Sequence, residues 1–156
     1  MAEAAGFDAA RLWRRAGQRD RVTTVAPILP DAARGGVRAL LRLEGAVLLA
    51  GALVAYDQFG AGWSAFALWF LVPDLSLFGY LAGARSGAAI YNAAHSTLGP
   101  AALIALGVLG AQPVVLAGGL IWLAHIGFDR LLGYGLKYGS GFGATHLGQV
   151  GARDAW

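Results

Sequence analysis

Residues 86–128 read SGAAIYNAAHSTLGPAALIALGVLGAQPVVLAGGLIWLAHIGF, 43 consecutive positions without an Asp, Glu, Lys or Arg. About 20 apolar helical residues cross the hydrocarbon core of a bilayer, so this run is long enough for two crossings. The turn-forming residues Gly110, Ala111, Gln112 and Pro113 divide it. A soluble core has no need of such a stretch.

Upstream the same pattern occurs twice more. Spans are expected at 37–56, 62–80, 87–109 and 113–132, separated by DQFGAG at 57–62, LAGARS at 81–86 and GAQP at 110–113. Connections this short make successive helices antiparallel neighbours. The expectation is an all-α polytopic membrane protein, a four-transmembrane-helix antiparallel bundle covering 37–132. Gly45, Gly51, Gly87, Gly107, Gly118 and Gly119 would let helix backbones approach closely in lipid.

The ends differ from the middle. Residues 1–36 form a basic N-terminal arm that holds Arg11, Arg14, Arg15, Arg19, Arg21 and Arg34, with Arg38 just beyond. Its stretch from Phe7 to Arg15 fits a short amphipathic turn at an anionic surface, with Trp13 at headgroup level, and fits an unstructured arm equally well. The first apolar run begins only near Gly45, too far along for a secretory signal peptide, so the first span should be retained as a helix. Residues 133–156 are rich in glycine and carry Tyr134, Tyr138 and Phe142. They read first as an interfacial aromatic belt, and otherwise as a loop folded back under the bundle that presents Lys137, Thr145 and His146 to a polar site.

Basic residues lie in the arm, at Arg85, and at Arg130, Lys137 and Arg153, whereas the first and third connections have none. The positive-inside rule then puts both termini in the cytoplasm of a bacterial inner membrane. The whole chain is 57% hydrophobic and 13% charged, with no Cys. Disulfides, thiolate zinc sites, cysteine-ligated clusters and cysteine nucleophiles are thereby excluded, and any metal must take nitrogen or oxygen ligands. The arm has no nucleic-acid module, so the expected partners are the lipid bilayer, other membrane subunits or a second copy, and no nucleic acid.

Ionisable side chains within spans cost at least about 2.5–3.5 kcal/mol each on insertion scales and call for a partner or a purpose. Here they are Glu44, Asp74, His95, His125, Asp129 and Arg130, with Asn92 one turn before His95. At a rise of 1.5 Å per residue, the antiparallel order puts them all roughly 5–13 Å from the cytoplasmic helix ends. Short-stemmed carboxylates and imidazoles at one level imply one shared polar site. His125 and Asp129 are spaced i, i+4, and Asn92 and His95 i, i+3, so each pair shares a helix face. Two imidazoles with two carboxylates suit zinc, manganese or non-haem iron, through Asp74, His95, His125 and Asp129. Asp129 or Glu44 would then serve as base, with Arg130, Lys137 and His146 holding an anionic substrate. The plainer reading is mutual satisfaction: Asp129 or Glu44 paired with Arg130 or Arg42, and His95 bonded to Asp74. A bis-His haem or pigment clamp is a third, and carboxylates beside the axial ligands speak against it. Pro73, next to Asp74, is expected to kink or break the second span.

The motifs LRLEG (41–45), PDLSLFGY (73–80), YNAAH (91–95), WLAHIGFDR (122–130), GYGLKY (133–138) and THLG (145–148) together resemble the bacterial integral-membrane domain-of-unknown-function family numbered 4260. The resemblance runs from about Arg38 to Gly148 and implies a membrane fold but no activity. More remotely, His95 followed by His125-x-x-x-Asp129 is similar to the pattern of membrane-bound metal-dependent hydrolases, whose further histidine-rich motif this chain lacks. Two functions are therefore expected in competition. One is a small inner-membrane protein with a divalent-metal site acting on a lipid-phase substrate; the other is a non-enzymatic accessory subunit of a larger membrane complex.

Overall fold

The computed structural model describes residues 32–150. The arm's Phe7–Arg15 turn and Arg153 lie outside the described residues. Within them, α1 (Gly35–Phe59), α2 (Trp63–Trp69), a 3₁₀ helix (Val72–Ala82), α3 (Ala84–His95), α4 (Leu98–Leu109) and α5 (Pro113–Leu132) are followed by strands β1 (Ala144–Thr145) and β2 (Gly148–Gln149). Among the described residues, four helical stretches are long and apolar enough to cross a membrane, at Gly35–Phe59, Trp63–Ala82, Ala84–Leu109 and Pro113–Leu132. By length and composition this is the make-up of a membrane protein.

Two of the four spans are interrupted where the polar residues lie. In the second, Pro73 supplies no amide hydrogen and occupies the first turn of the 3₁₀ helix, so α-helix gives way to the tighter 3₁₀ form just before Asp74. In the third, Ser96 adopts an extended conformation (φ −79°, ψ 146°) that ends α3 at His95 before Leu98 starts α4. Backbone freed from helical pairing needs protein or a cavity beside it at membrane depth. Next to the third-span break the Ala94 carbonyl accepts from Trp122 Nε1 of α5, and next to the second Phe70 packs on His125 and Phe128. The second connection is shorter than expected: Gly83, at φ 103°, is the only residue between the 3₁₀ helix and α3.

α5 is the axis of the bundle. It carries the largest buried share of any span, 44% against 17% or less for the others. α1 packs along its length, α4 covers its first half, and α3 packs on the 3₁₀ helix. Glycine sets the spacing to α1: a Cβ on Gly127 would come within 2.5 Å of the Leu49 nitrogen, and one on Gly45 within 2.6 Å of the Arg130 Cβ. Gly107 and Gly119 do the same between α4 and α5, whereas Gly51 and Gly118 face open space and pack on nothing.

The segment after α5 is not helical. Gly133 ends α5 in the left-handed conformation, and its amide and that of Tyr134 bond back to Arg130 and Asp129. The chain then turns under the bundle as a short antiparallel hairpin in which Ala144 pairs with Gln149, bridged to Lys137 through Thr145. Lys137, Ala144, Thr145 and Leu147 are all buried. Strand structure here was not expected from an all-α reading, because the alternation of glycine with Tyr, Lys, Phe and Thr carries no clear two-residue hydrophobic period.

Candidate metal centre

Four side chains from three different spans meet at the α5 C-terminal end of the bundle. Asp74 comes from the first turn of the 3₁₀ helix, His95 from the last residue of α3, and His125 and Asp129 from successive turns of α5. One ligand atom from each lies within 4.8 Å of all the others. His95 Nε2 stands 3.5 Å from Asp74 Oδ1 and 3.5 Å from Asp129 Oδ2, and His125 Nε2 stands 3.6 Å and 3.8 Å from the same two oxygens. The two imidazole Nε2 atoms are 3.2 Å apart.

These separations discriminate between two kinds of contact. A charge-assisted hydrogen bond between imidazolium and carboxylate closes to about 2.7–2.9 Å, so 3.5–3.8 Å is too long for one. Four ligands placed tetrahedrally at about 2.0–2.2 Å from a common centre stand about 3.3–3.6 Å from one another, and the separations seen, 3.2–3.8 Å, bracket that range. The donor set can hold a metal ion.

The surroundings orient the ligands. His95 Nδ1 donates to the Tyr91 carbonyl at 2.9 Å, which leaves its Nε2 lone pair turned to the cluster. The Tyr91 ring stacks on the His95 ring, with centroids 3.7 Å apart and planes at 10°, and its hydroxyl donates to Asp129 Oδ2 at 3.2 Å. Phe70 meets the His125 ring edge-on at 5.3 Å, and His125 Nδ1 is buried without a hydrogen-bond partner. Burial is graded: His95 and His125 are 4% and 1% exposed, the Asp129 side chain 16%, and the Asp74 side chain 38%, so access is from the Asp74 side. A small void of about 10 Å³, enough for about one water, lies against Tyr91, His95, Asp129 and Arg130.

The other residues singled out from sequence fall elsewhere. Glu44 is exposed on α1, outside the group, with Arg130 as the charged residue it acts on. Arg42 donates to the Leu131 carbonyl at 2.8 Å and so caps α5, and among the described residues it makes no ion pair with Glu44 or Asp129. Asn92 is a clasp, not a ligand: its Nδ2 donates to the Lys137 carbonyl at 2.9 Å and its Oδ1 accepts from the Lys137 amide at 2.7 Å. Lys137 is the residue of the C-terminal segment closest in charge to the centre. Burial lowers its pKa, while the charges of Asp129 and Asp74 oppose that fall. Its ammonium donates to the Phe142 carbonyl and lies over the Phe142 and Tyr91 rings, 3.5 Å and 4.7 Å from their centroids. Thr145 and His146 are spent inside the hairpin, the hydroxyl on the Gly148 carbonyl and Nδ1 on the Leu136 amide. A haem clamp does not fit, since two imidazoles bound to one iron from opposite faces need nitrogens about 4 Å apart with a macrocycle between them, and these are 3.2 Å apart. Sequence reasoning passed over Tyr91, although its place four residues before His95 puts both on one helix face.

A family model described as a domain of unknown function, DUF4260, matches residues 38–150. No curated protein and no solved structure matches the chain.

Proposed function

The chain belongs to the DUF4260 family, and we propose that Asp74, His95, His125 and Asp129 form a divalent-metal centre acting on a lipid-phase substrate. The observation that carries this reading is the set of four imidazole-to-carboxylate separations of 3.5–3.8 Å, too long for charge-assisted hydrogen bonds and close to those of ligands around a shared ion. Zinc, manganese and iron all accept two imidazoles with two carboxylates. An ion held there would polarise an oxygen of a substrate or of water. The protein's own part is to fix His95 through Tyr91, to hold Asp129 by the Tyr91 hydroxyl, and to exclude bulk water with the C-terminal hairpin. Asp74, the most exposed of the four, marks the side from which a substrate oxygen would enter. Lys137, with its amine near both carboxylates, would offset negative charge brought by a substrate headgroup.

The charge pattern of arm and loops supports an inner-membrane location with the centre near the cytoplasmic face. The test is metal content of detergent-purified, chelator-free protein beside His125→Ala and Asp129→Ala. Retention by the parent and loss by both variants, with helical content unchanged, supports the reading. Equal metal content in all three would sink it. A metal-free parent whose variants merely loosen the fold would return the cluster to a structural role, as expected of an accessory subunit.

A further inference from the structure

Beside the proposed centre lies a cavity of about 330 Å³ whose lining is almost wholly apolar. Trp69, Val72 and Pro73 form one wall and Gly118 and Trp122 the other. Its walls continue those of the centre: Pro73 precedes Asp74, Ala94 of the lining precedes His95, and Ile121 lies one turn before His125. From Gly118 to His125 is about 10 Å along α5, so the cavity extends from the centre toward the middle of the bilayer. Trp69, Val72 and Gly118 are exposed, and the cavity therefore opens on the bundle's outer, hydrocarbon-facing surface.

One polar side chain adjoins the apolar lining. Ser76 Oγ makes no hydrogen bond and is covered in this conformation, so a rotation about χ1 is needed to bring it into the cavity. Ser76 stands one helical turn or less from Asp74, on the same 3₁₀ helix as Pro73 of the cavity wall. The volume is at the small end for ligand sites, which run from about 300 to 1,000 Å³, so it suits one chain and not a whole two-chain phospholipid.

We propose that this cavity is the subsite for a single acyl chain, which enters from the bilayer, lies between Trp69 and Trp122, and presents its oxygen-bearing end to Ser76 Oγ and the Asp74 side of the centre. The inference rests on the metal-centre reading for what happens at that end, and on the cavity alone for the chain. Nothing of the protein's own fills the space, and a Cβ on Gly118 would meet no atom within 4 Å.

The experiment is titration of the intact protein in dodecyl maltoside with a dibrominated stearic acid, read by quenching of tryptophan fluorescence, with metal content measured on the same samples. Saturable quenching at about one ligand per chain is expected. Gly118→Leu, which fills the cavity without a clash, should abolish the saturable part. Ser76→Ala should weaken binding about tenfold while leaving thermal stability unchanged or higher, because the hydroxyl bonds to nothing in the free protein. Quenching that rises without saturation and is identical in Gly118→Leu overturns the proposal. Full metal content with no saturable quenching removes the acyl subsite and spares the centre, whereas saturable quenching without metal removes the centre and spares the subsite.

Discussion

His125 Nε2 approaches His95 Nε2 to 3.2 Å across thirty residues of chain, and the two rings meet nearly edge to face at 63°. With His95 Nδ1 committed to the Tyr91 carbonyl, the two nitrogens compete for one proton or share one cation. Asp74 and Asp129 each within 3.8 Å of both nitrogens supply the negative charge a divalent ion would need.

Tyr91 supports this arrangement twice, through the stacked His95 ring and through the hydroxyl on Asp129. Tyr91→Phe keeps the stack and deletes the hydroxyl. Loss of an outer partner of a metal-binding carboxylate lowers affinity by about 10–100-fold. Competition with a chromogenic chelator measures this directly; an unchanged affinity would mean that the hydroxyl does not act on the ligand.

Asn92 holds the C-terminal segment to α3 by two bonds to the Lys137 backbone. Asn92→Ala leaves a half-buried amide and carbonyl unpaired at a cost of about 1–3 kcal/mol. Faster amide exchange over 134–150, with α1 and α5 unaffected, is the expected signature. Uniform exchange across all elements would show that the clasp matters to the whole bundle.

His146 makes the hairpin sensitive to acid. Burial, reinforced by the charge of Arg130, lowers its pKa below the ordinary histidine value, and its Nδ1 accepts from the Leu136 amide. Because the folded pKa is the lower one, the opened segment binds more protons, and stability is complete above about pH 6.5 and falls as pH drops below it. Proteolysis within 134–150 should therefore accelerate on moving from neutral to mildly acidic buffer. His146→Asn, which retains an acceptor near the Nδ1 position but does not titrate, should flatten that dependence.

Gly127 sets the approach of α1 to α5. Gly127→Val forces a side chain against the Leu49 nitrogen and the Gly45 carbonyl, which would sit 2.5 Å and 2.9 Å from its Cβ. A destabilisation of about 1–3 kcal/mol or more is expected. Gly51→Ala, with nothing within 4 Å, should instead leave stability unchanged or raise it by about 0.5–1 kcal/mol. Denaturation midpoints in mixed micelles would show the contrast, and equal effects would contradict the close-contact account.

The spans were legible because hydropathy over twenty residues is a strong and local signal, and the His/Asp group was legible because ionisable groups are rare in such segments. The level shared by Asp74, His95, His125 and Asp129 followed from antiparallel order alone. Other features depend on contacts between distant segments. Asn92 shares a helix face with His95 by its spacing, yet its partner is the Lys137 backbone, 45 residues on. Glu44 lies at the right depth but on an exposed face of α1, and depth without azimuth could not separate it from the others. The hairpin after Gly133 is held by hydrogen bonds between separate segments of the chain that composition does not encode.

The central claim is a divalent ion shared by Asp74, His95, His125 and Asp129. X-ray absorption at the metal edge on protein reconstituted with zinc addresses it most directly. The account predicts about four nitrogen or oxygen neighbours at about 2.0–2.1 Å, with the imidazole signature of two histidines, and loss of that spectrum in His125→Ala. Zinc that fails to bind stoichiometrically, or binds with a spectrum unchanged by that substitution, would contradict it.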